Sequence, residues 1–128
     1  MKPMILVGLG GCLGAVARYK FGGWILHHFV DWRFPIGTFT VNAVGCLVAG
    51  VLAGLIERHH VFSADLRIFL FSGFLGGFTT FSAFGVETVF LLRRGQTSVA
   101  LGYVALSIVC CVAGLWLGMA VIHPVKPN

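Results

Sequence analysis

Charged side chains are scarce in this chain of 128 residues. Only 10% of the residues are charged and four of them are acidic, whereas a soluble domain carries about 25% charged residues. A soluble protein of this size would also lack the interior volume to bury a sequence that is 58% hydrophobic. The composition therefore excludes an ordinary cytosolic enzyme, a disordered chain and a disulfide-stabilised secreted domain. We expect an integral membrane protein, with lipid as the solvent for most of its surface.

Sequence motifs for metal binding and nucleotide binding are absent as well. The four cysteines form no CxxC pair and lie in apolar runs without neighbouring histidines, so we interpret them as small buried hydrophobic residues. There is no Walker loop. The basic residues are scattered at the ends of apolar runs, where they anchor helices at the lipid headgroups rather than bind nucleic acid. We expect no enzyme activity.

Four apolar segments make up most of the sequence. They cover residues 4–27, 37–57, 65–92 and 99–122 approximately, and each is close to or above the ~20 residues that a helix needs to cross a bilayer. The runs are continuous rather than alternating, which indicates helices and not the strands of a membrane barrel. We predict an all-α protein in which residues 1–128 form a single membrane domain with four transmembrane helices joined by short loops.

Each predicted span also contains two glycines four residues apart. Small residues at this spacing let helix backbones approach closely in lipid, so we interpret the pairs as packing surfaces. The pairs are Gly10 with Gly14, Gly50 with Gly54, Gly73 with Gly77, and Gly114 with Gly118.

Lysine and arginine are divided evenly between the two sides of the predicted bundle. Four spans place both termini and the middle loop on one side, which carries Lys2, Arg58, Arg67 and Lys126. The other side carries Lys20, Arg33, Arg93 and Arg94, while Arg18 lies deeper in the first span and is left out of the balance. Because basic residues beside short loops set the orientation of a membrane protein, this balance gives insertion no preference. We expect copies to insert in both orientations and to pair as an antiparallel homodimer.

Polar residues within the spans are candidates for function, because a polar group at membrane depth needs a partner or a role. Asn42 offers two donors and an acceptor, and it either joins helices or lines a polar path. Tyr103 and Ser107 are four residues apart and can extend such a path. Arg18 and Glu87 either pair with each other, or Arg18 has a structural, snorkelling role, or it supplies positive potential at a vestibule.

The third span contains the most informative stretch, residues 73–84, with the sequence GFLGGFTTFSAF. Paired glycines followed by two threonines and a serine hold a continuous helix poorly, so we predict a break near the middle of this span. A break frees backbone carbonyls, which membrane proteins tolerate where the carbonyls face protein, water or an ion. Gly76 and Thr79 are therefore candidate carbonyl ligands of a sodium ion. The alternative is that the glycines only allow a neighbouring helix to pack closely, while the threonine and serine hydroxyls bond back to their own helix.

Phe81 and Phe84 are three residues apart and share a face if the helix resumes after the break. One interpretation places both rings in the hydrophobic core. The other places them along a narrow path, where the partly positive ring edges attract a small anion without holding it too tightly for release.

These motifs resemble the Fluc family of fluoride channels, whose members are also called CrcB proteins. The resemblance covers essentially the whole chain. Its motifs are Gly14-Ala15-x-x-Arg18, Gly37-Thr38-x-Thr40-Val41-Asn42, residues 73–84 followed by Glu87, and Gly102-Tyr103. The chain departs from the family pattern at Ala83, which lies between the two phenylalanines, and at Cys111 and Leu115, where the family has small hydroxyl residues.

The resemblance implies a passive fluoride-selective channel that exports fluoride across the bacterial cytoplasmic (inner) membrane and relieves fluoride toxicity. It implies a dual-topology homodimer with two pores and a structural sodium ion at the dimer interface. The implied fluoride-pore residues are Asn42, Phe81, Phe84, Tyr103, Ser107 and Arg18. The implied sodium ligands are the backbone carbonyls of Gly76 and Thr79.

Two other functions fit parts of the sequence. A small dual-topology exporter of cationic drugs shares the size, the four spans and the charge symmetry. Such a pump needs an acidic residue at membrane depth, and the first two spans offer none there, while Arg18 would repel a cation. A non-transporting assembly subunit explains the glycines but gives no reason for Asn42 and the polar stretch of the third span.

Overall fold

The computed structural model describes residues 1–29 and 33–122, and within these ranges the chain has four long helical spans and no strand. The spans are Lys2–His28, Ile36–His59, Ala64–Arg93 and Thr97–Ile122. Each is longer than the ~20 residues that cross a bilayer and apolar enough to do so. The prediction of an all-helical membrane protein is confirmed. Lys126, which entered the charge balance, lies outside the described residues.

The third span is interrupted at its middle, as the sequence predicts. Its first half consists of an α-helix at Ala64–Arg67, a π-helical segment at Ile68–Leu75 and an α-helical turn at Gly76–Phe78. Its second half is the α-helix Phe81–Arg93. The two residues between the halves are extended, with φ −81° and ψ 156° at Thr79 and φ −149° and ψ 113° at Thr80. Extended residues cannot continue the helical hydrogen-bond ladder, so this span contains two helix ends at its centre.

Short polar side chains and a glycine fix the ends of these helices. The third span begins after Ser63, whose Oγ accepts a hydrogen bond from the Leu66 N–H at 3.3 Å. Its second half begins after Thr80, whose Oγ1 accepts from the Ala83 N–H at 3.3 Å. Both are N-caps that satisfy backbone donors at a helix start. The turn into the fourth span contains Gly95 with a φ of 73°, which suits glycine because it lacks a Cβ.

Glycines bring the first span into backbone contact with the first half of the third span. A Cβ at Gly10 would lie 2.9 Å from the Cα of Gly73. A Cβ at Gly14 would overlap the carbonyl oxygen of Phe74, and Gly77 approaches the backbone of the first span equally closely. These approaches leave no space for a side chain, so the glycines determine how closely the two helices pack.

The second and fourth spans form the other close pair. Gly50 contacts the backbone of the fourth span, and a Cβ at Gly118 would lie 2.5 Å from the Leu47 carbonyl oxygen and 2.7 Å from the Val51 nitrogen. Gly114, one turn earlier, has more room, since the atom nearest to its Cβ position is 3.6 Å away. The interpretation of the glycine pairs as packing surfaces is confirmed, with Gly114 as the loosest member.

Replacing Gly118 with alanine is expected to destabilise the protein by about 1–3 kcal/mol, because the new methyl group would collide with backbone atoms that cannot rotate away. Gly114→Ala is the matched control on the same helix. It is expected to leave the free energy of unfolding unchanged or to raise it by up to about 1 kcal/mol, through higher helix propensity. Denaturant unfolding of the purified protein in detergent measures both values. Equal destabilisation by the two substitutions would contradict the packing described here.

Polar contacts gather at one end of the bundle. The Lys2 ammonium forms an ion pair with the Asp65 carboxylate, which joins the start of the first span to the start of the third. The Arg58 guanidinium donates to the Ile122 carbonyl oxygen, which joins the ends of the second and fourth spans. The N-terminus and the loop between the second and third spans therefore lie at the same end, and successive spans run in opposite directions.

Candidate functional site

The carboxamide of Asn42 connects the second span to the break in the third. Its Nδ2 donates to the Thr80 carbonyl oxygen at 3.0 Å, and its Oδ1 accepts from the Thr80 N–H at 2.8 Å. Both backbone groups of an extended residue are thereby satisfied, and leaving either one unpaired would cost about 1–3 kcal/mol. A carboxamide has two N–H donors, and the second one of Asn42 makes no hydrogen bond within the described residues.

The same interaction frees the carbonyl group of Gly76. In a continuous helix this carbonyl would accept from the Thr80 N–H, but that N–H is donated to Asn42. Gly76 is exposed on the surface of the chain. The neighbouring Thr79 is held in place because its N–H and its hydroxyl both donate to the Leu75 carbonyl oxygen at 2.9 Å. The carbonyl oxygen of Gly76 therefore has lost its helical donor, and no other hydrogen bond to it is seen within residues 1–29 and 33–122.

A groove of about 270 Å³ lies beside the break. Its lining residues are Asn42, Cys46, Thr79, Thr80, Phe81, Phe84, Ser107, Ile108 and Cys111. None of these residues carries a charged side chain. Ser107 is only 6% exposed, and its hydroxyl has no hydrogen-bond partner within the described residues. The groove therefore has two unused hydrogen-bond donors, one from Asn42 and one from Ser107.

A row of aromatic rings borders this groove. The ring centroids of Phe81 and Phe84 are 5.3 Å apart, and those of Phe84 and Tyr103 are 5.1 Å apart. Phe81 is 82% exposed, whereas Tyr103 is completely buried and packs behind Phe84. Phe84 therefore packs against the core, while Phe81 projects from the surface of the single chain.

A second cavity, of about 190 Å³, contains the remaining charged groups at depth. Arg18 and Glu87 both line it, and no ion pair joins them in the part of the chain that the structure describes. Instead, Glu87 accepts hydrogen bonds from the hydroxyls of Thr38 and Tyr103, each at 2.7 Å. Because the Tyr103 ring contacts Phe84, this hydrogen-bond network joins the wall of the second cavity to the aromatic row beside the groove.

Comparison with known proteins shows the family to which the chain belongs. Residues 5–119 match the protein family described as "CrcB-like protein, Camphor Resistance (CrcB)". The chain belongs to the CrcB family. It is 49% identical over 122 residues, or 95% of both chains, to a protein of Methylobacillus flagellatus named fluoride-specific ion channel FluC. Proteins with the same name from Rhizobium johnstonii and Rhodospirillum centenum are 46% and 45% identical over 123 residues, which cover 96% of this chain and 98% and 97% of theirs. The four spans and the family show a multi-pass membrane protein.

In this CrcB protein the predicted site residues lie in the groove, behind it, in the second cavity and at the break of the third span. The groove brings together Asn42, Phe81, Phe84 and Ser107. Tyr103 lies outside the groove, behind Phe84, and Arg18 lies in the second cavity. Gly76 begins the helical turn before the break, whereas Thr79 lies in the break and also lines the groove. Arg18 and the groove residues therefore lie in different cavities. Thr80 lines both cavities and so forms a wall between them.

Three features of the site were missed by the sequence reasoning. The methyl group of Thr79 contacts Gly45 on the second span, where any side chain would collide with it. In the sequence, Gly45 follows Val41 by four residues and Gly37 by eight. This spacing puts the three residues on one face of the helix, and all three are buried in the structure. Cys46 was interpreted as a small buried residue but lines the groove. The partners of Glu87 come from other spans, and no local pattern indicates them.

The interpretation of the cysteines as buried residues was wrong for Cys12, which is exposed, and Cys46, Cys110 and Cys111 are only partly buried. An apolar run in a membrane span does not distinguish lipid-facing positions from buried ones, so the apolar neighbours of these cysteines in the sequence did not establish that they are buried.

Proposed function

We propose that this protein is a passive fluoride channel that lets fluoride leave the cytoplasm. The observation that carries the proposal is the groove, which combines two unused hydrogen-bond donors with two phenyl rings and has no acidic side chain in its lining. Hydrogen-bond donors and the positive edges of rings favour a small anion. The names of the bacterial relatives specify which anion they conduct. A cation exporter is disfavoured, because Glu87, the carboxylate that lines the second cavity, is occupied by two hydroxyl donors.

In the proposed mechanism, fluoride exchanges part of its hydration shell for protein groups. The second N–H of Asn42 and the Ser107 hydroxyl donate hydrogen bonds, and the edges of Phe81 and Phe84 contact the remaining face of the ion. These contacts are weak enough individually to allow release, as conduction requires. Arg18 raises the electrostatic potential of the second cavity and attracts the anion to the bundle. An inside-negative membrane potential then drives export across the bacterial inner membrane, at about 2.3 kcal/mol per charge per 100 mV.

Purified protein in liposomes provides the test of this function. Vesicles loaded with fluoride are expected to release it when the protein is present and a potassium ionophore balances the charge. Vesicles loaded with chloride are expected to retain it, and a proton gradient is expected to have no effect on the fluoride rate. Well-folded protein that gives no fluoride efflux would contradict the proposal. Proton-coupled uptake of an organic cation would instead support the exporter.

We further propose that the working unit is an antiparallel homodimer. A single chain leaves the groove open and Phe81 82% exposed, so a second copy is needed to enclose a path for an ion. The equal division of basic residues supports insertion in both orientations. A reporter enzyme fused to the C-terminus is expected to give signal from both sides of the inner membrane. Signal from one side alone would contradict dual topology.

A sodium ion is proposed to bind where the two breaks meet, held by the carbonyls of Gly76 and Thr79. Gly76 fits this role, because its carbonyl has lost its helical donor to Asn42 and the residue is exposed on the surface of the single chain. Carbonyl oxygens are suitable ligands for a hard cation, and broken helices supply them at membrane depth. When bound, the ion would supply positive charge that offsets the partial negative charge of these carbonyl oxygens.

Replacing sodium with a large organic cation is expected to weaken fluoride flux, because the facing carbonyls of two copies would then repel one another without a bridging charge. The measurement compares liposomes prepared in sodium with liposomes prepared in N-methylglucamine, and re-addition of sodium should restore the rate. Chemical cross-linking of the dimer in the two solutions provides the control for assembly. Flux that is indifferent to the cation would count against a site at Gly76 and Thr79.

A further inference from the structure

Two thiols from different helices face the same groove. Cys46 of the second span and Cys111 of the fourth span both line it, and both are partly exposed free thiols. Cys46 lies one turn before Gly50 and Cys111 lies one turn before Leu115, and the backbones of Gly50 and Leu115 are in contact, so the two cysteines occupy matching positions on neighbouring spans. Cys110 and Cys12 are free thiols that do not line the groove. The chain therefore contains one thiol pair in an accessible cavity and two thiols elsewhere that serve as internal controls.

The positions of these thiols are fixed by backbone packing. The second and fourth spans contact each other directly at Gly50 and Gly118, where no side chain separates the backbones. Helices in such close contact cannot separate without losing this packing, so Cys46 and Cys111 keep their spacing. Pre-arranged ligands bind a metal ion without the cost of ordering them first.

Sulfur ligands select soft metal ions over hard ones. The groove contains no carboxylate, and Ser107 supplies its only unpaired hydroxyl, so two sulfur atoms are its strongest metal ligands. Net charge is costly in an apolar cavity. A divalent ion that binds two thiolates forms a neutral complex, which suits this position better than a charged one.

We propose that Cys46 and Cys111 form a binding site for soft, two-coordinate metal ions such as Hg²⁺, and that a bound ion obstructs the groove. In the binding step each S–H releases its proton to water and each sulfur forms one bond to the metal. No electron is transferred, and the product is neutral. The obstruction rests on the proposed function, because the groove is the proposed fluoride path. Binding of the metal to the two thiols does not depend on that function.

Mass spectrometry tests the binding. A variant in which Cys12 and Cys110 are replaced by alanine is treated with mercuric chloride and then with a maleimide. The expected mass gain is one mercury atom less two hydrogens per chain, with both remaining thiols protected from maleimide. Two mercury atoms per chain, or one thiol that still reacts, would overturn the site. If this variant fails to fold, peptide mapping of the maleimide-labelled wild-type protein gives the same information, since protection should be confined to Cys46 and Cys111.

Fluoride efflux tests the obstruction. Mercuric chloride is expected to abolish most of the flux of the wild-type protein and of Cys110→Ser, and excess free thiol should restore it. The variant that combines Cys46→Ser with Cys111→Ser, and so has no thiol in the groove, is compared with its own untreated flux and is expected to lose this sensitivity. Undiminished flux with mercury bound to both thiols would overturn the obstruction. Folded protein without any flux before treatment would contradict the channel function alone, because the mass measurement is independent of transport.

Discussion

Phe81→Ile is expected to reduce fluoride flux to the background of protein-free liposomes while leaving the protein folded. The ring is 82% exposed in the single chain, so little packing within the chain depends on it. Isoleucine retains most of the apolar volume but has no ring quadrupole, and its surface offers an anion no positive edge. The loss should therefore appear in the rate of efflux rather than in the yield or the denaturant midpoint of the purified protein.

Phe90→Ile is the matched control for this substitution. Phe90 is on the same helix and is also exposed, at 51%, but it does not line the groove. Efflux by this variant should equal that of the wild-type protein. Dimer formation is measured for both variants by cross-linking, because a substitution at a protein interface can act through assembly. Unchanged flux for Phe81→Ile with an intact dimer would mean that the ring only packs and does not contact fluoride.

The break in the third span was predictable because its causes are local. Paired glycines remove side-chain support from the helix, and Thr80 can cap a new helix start with its own hydroxyl. The structure places the interruption at Thr79 and Thr80, as this stretch indicates. The four spans were predictable for the same reason, since continuous apolar runs of sufficient length leave few alternatives in a membrane.

The contacts that complete the site were not predictable, because they join residues distant in the sequence. Asn42 is 38 positions before Thr80, and the sequence left open whether it joins helices or lines a path. The structure shows that it joins helices and that it also borders the groove. Its carboxamide has three hydrogen-bonding sites and the break uses two of them, so the two interpretations are compatible.

The role of Glu87 illustrates a second limit of sequence reasoning. Its charge suggested a partnership with Arg18, and both residues do line one cavity. The structure instead satisfies the carboxylate with two hydroxyls, which leaves the arginine without a carboxylate partner among the described residues. Direct pairing of the two residues is therefore not observed among the described residues, and the snorkelling and vestibule interpretations of Arg18 both stay predictions.

Asn42→Leu is expected to lower the free energy of unfolding by about 2–6 kcal/mol and to abolish fluoride flux. The substitution leaves the N–H and the carbonyl of Thr80 without partners, and each unpaired group costs roughly 1–3 kcal/mol. Asn42→Asp separates the structural role from the conducting role. Aspartate still accepts from the Thr80 N–H, but its other oxygen cannot donate to the Thr80 carbonyl oxygen, so one of the two hydrogen bonds is kept and one is lost. It places a negative charge in the groove and removes the free N–H donor, so the flux should still be lost.

Thr40→Val is the control for a polar-to-apolar change in the same span. The Thr40 hydroxyl makes no hydrogen bond within the described residues, and the residue does not line the groove. Its stability and flux should therefore remain close to those of the wild-type protein. Unfolding in detergent gives the stability of each variant, and liposome efflux gives the flux. Wild-type flux from a folded Asn42→Asp protein would show that Asn42 only secures the break, and the proposed path for fluoride would then have to avoid its carboxamide.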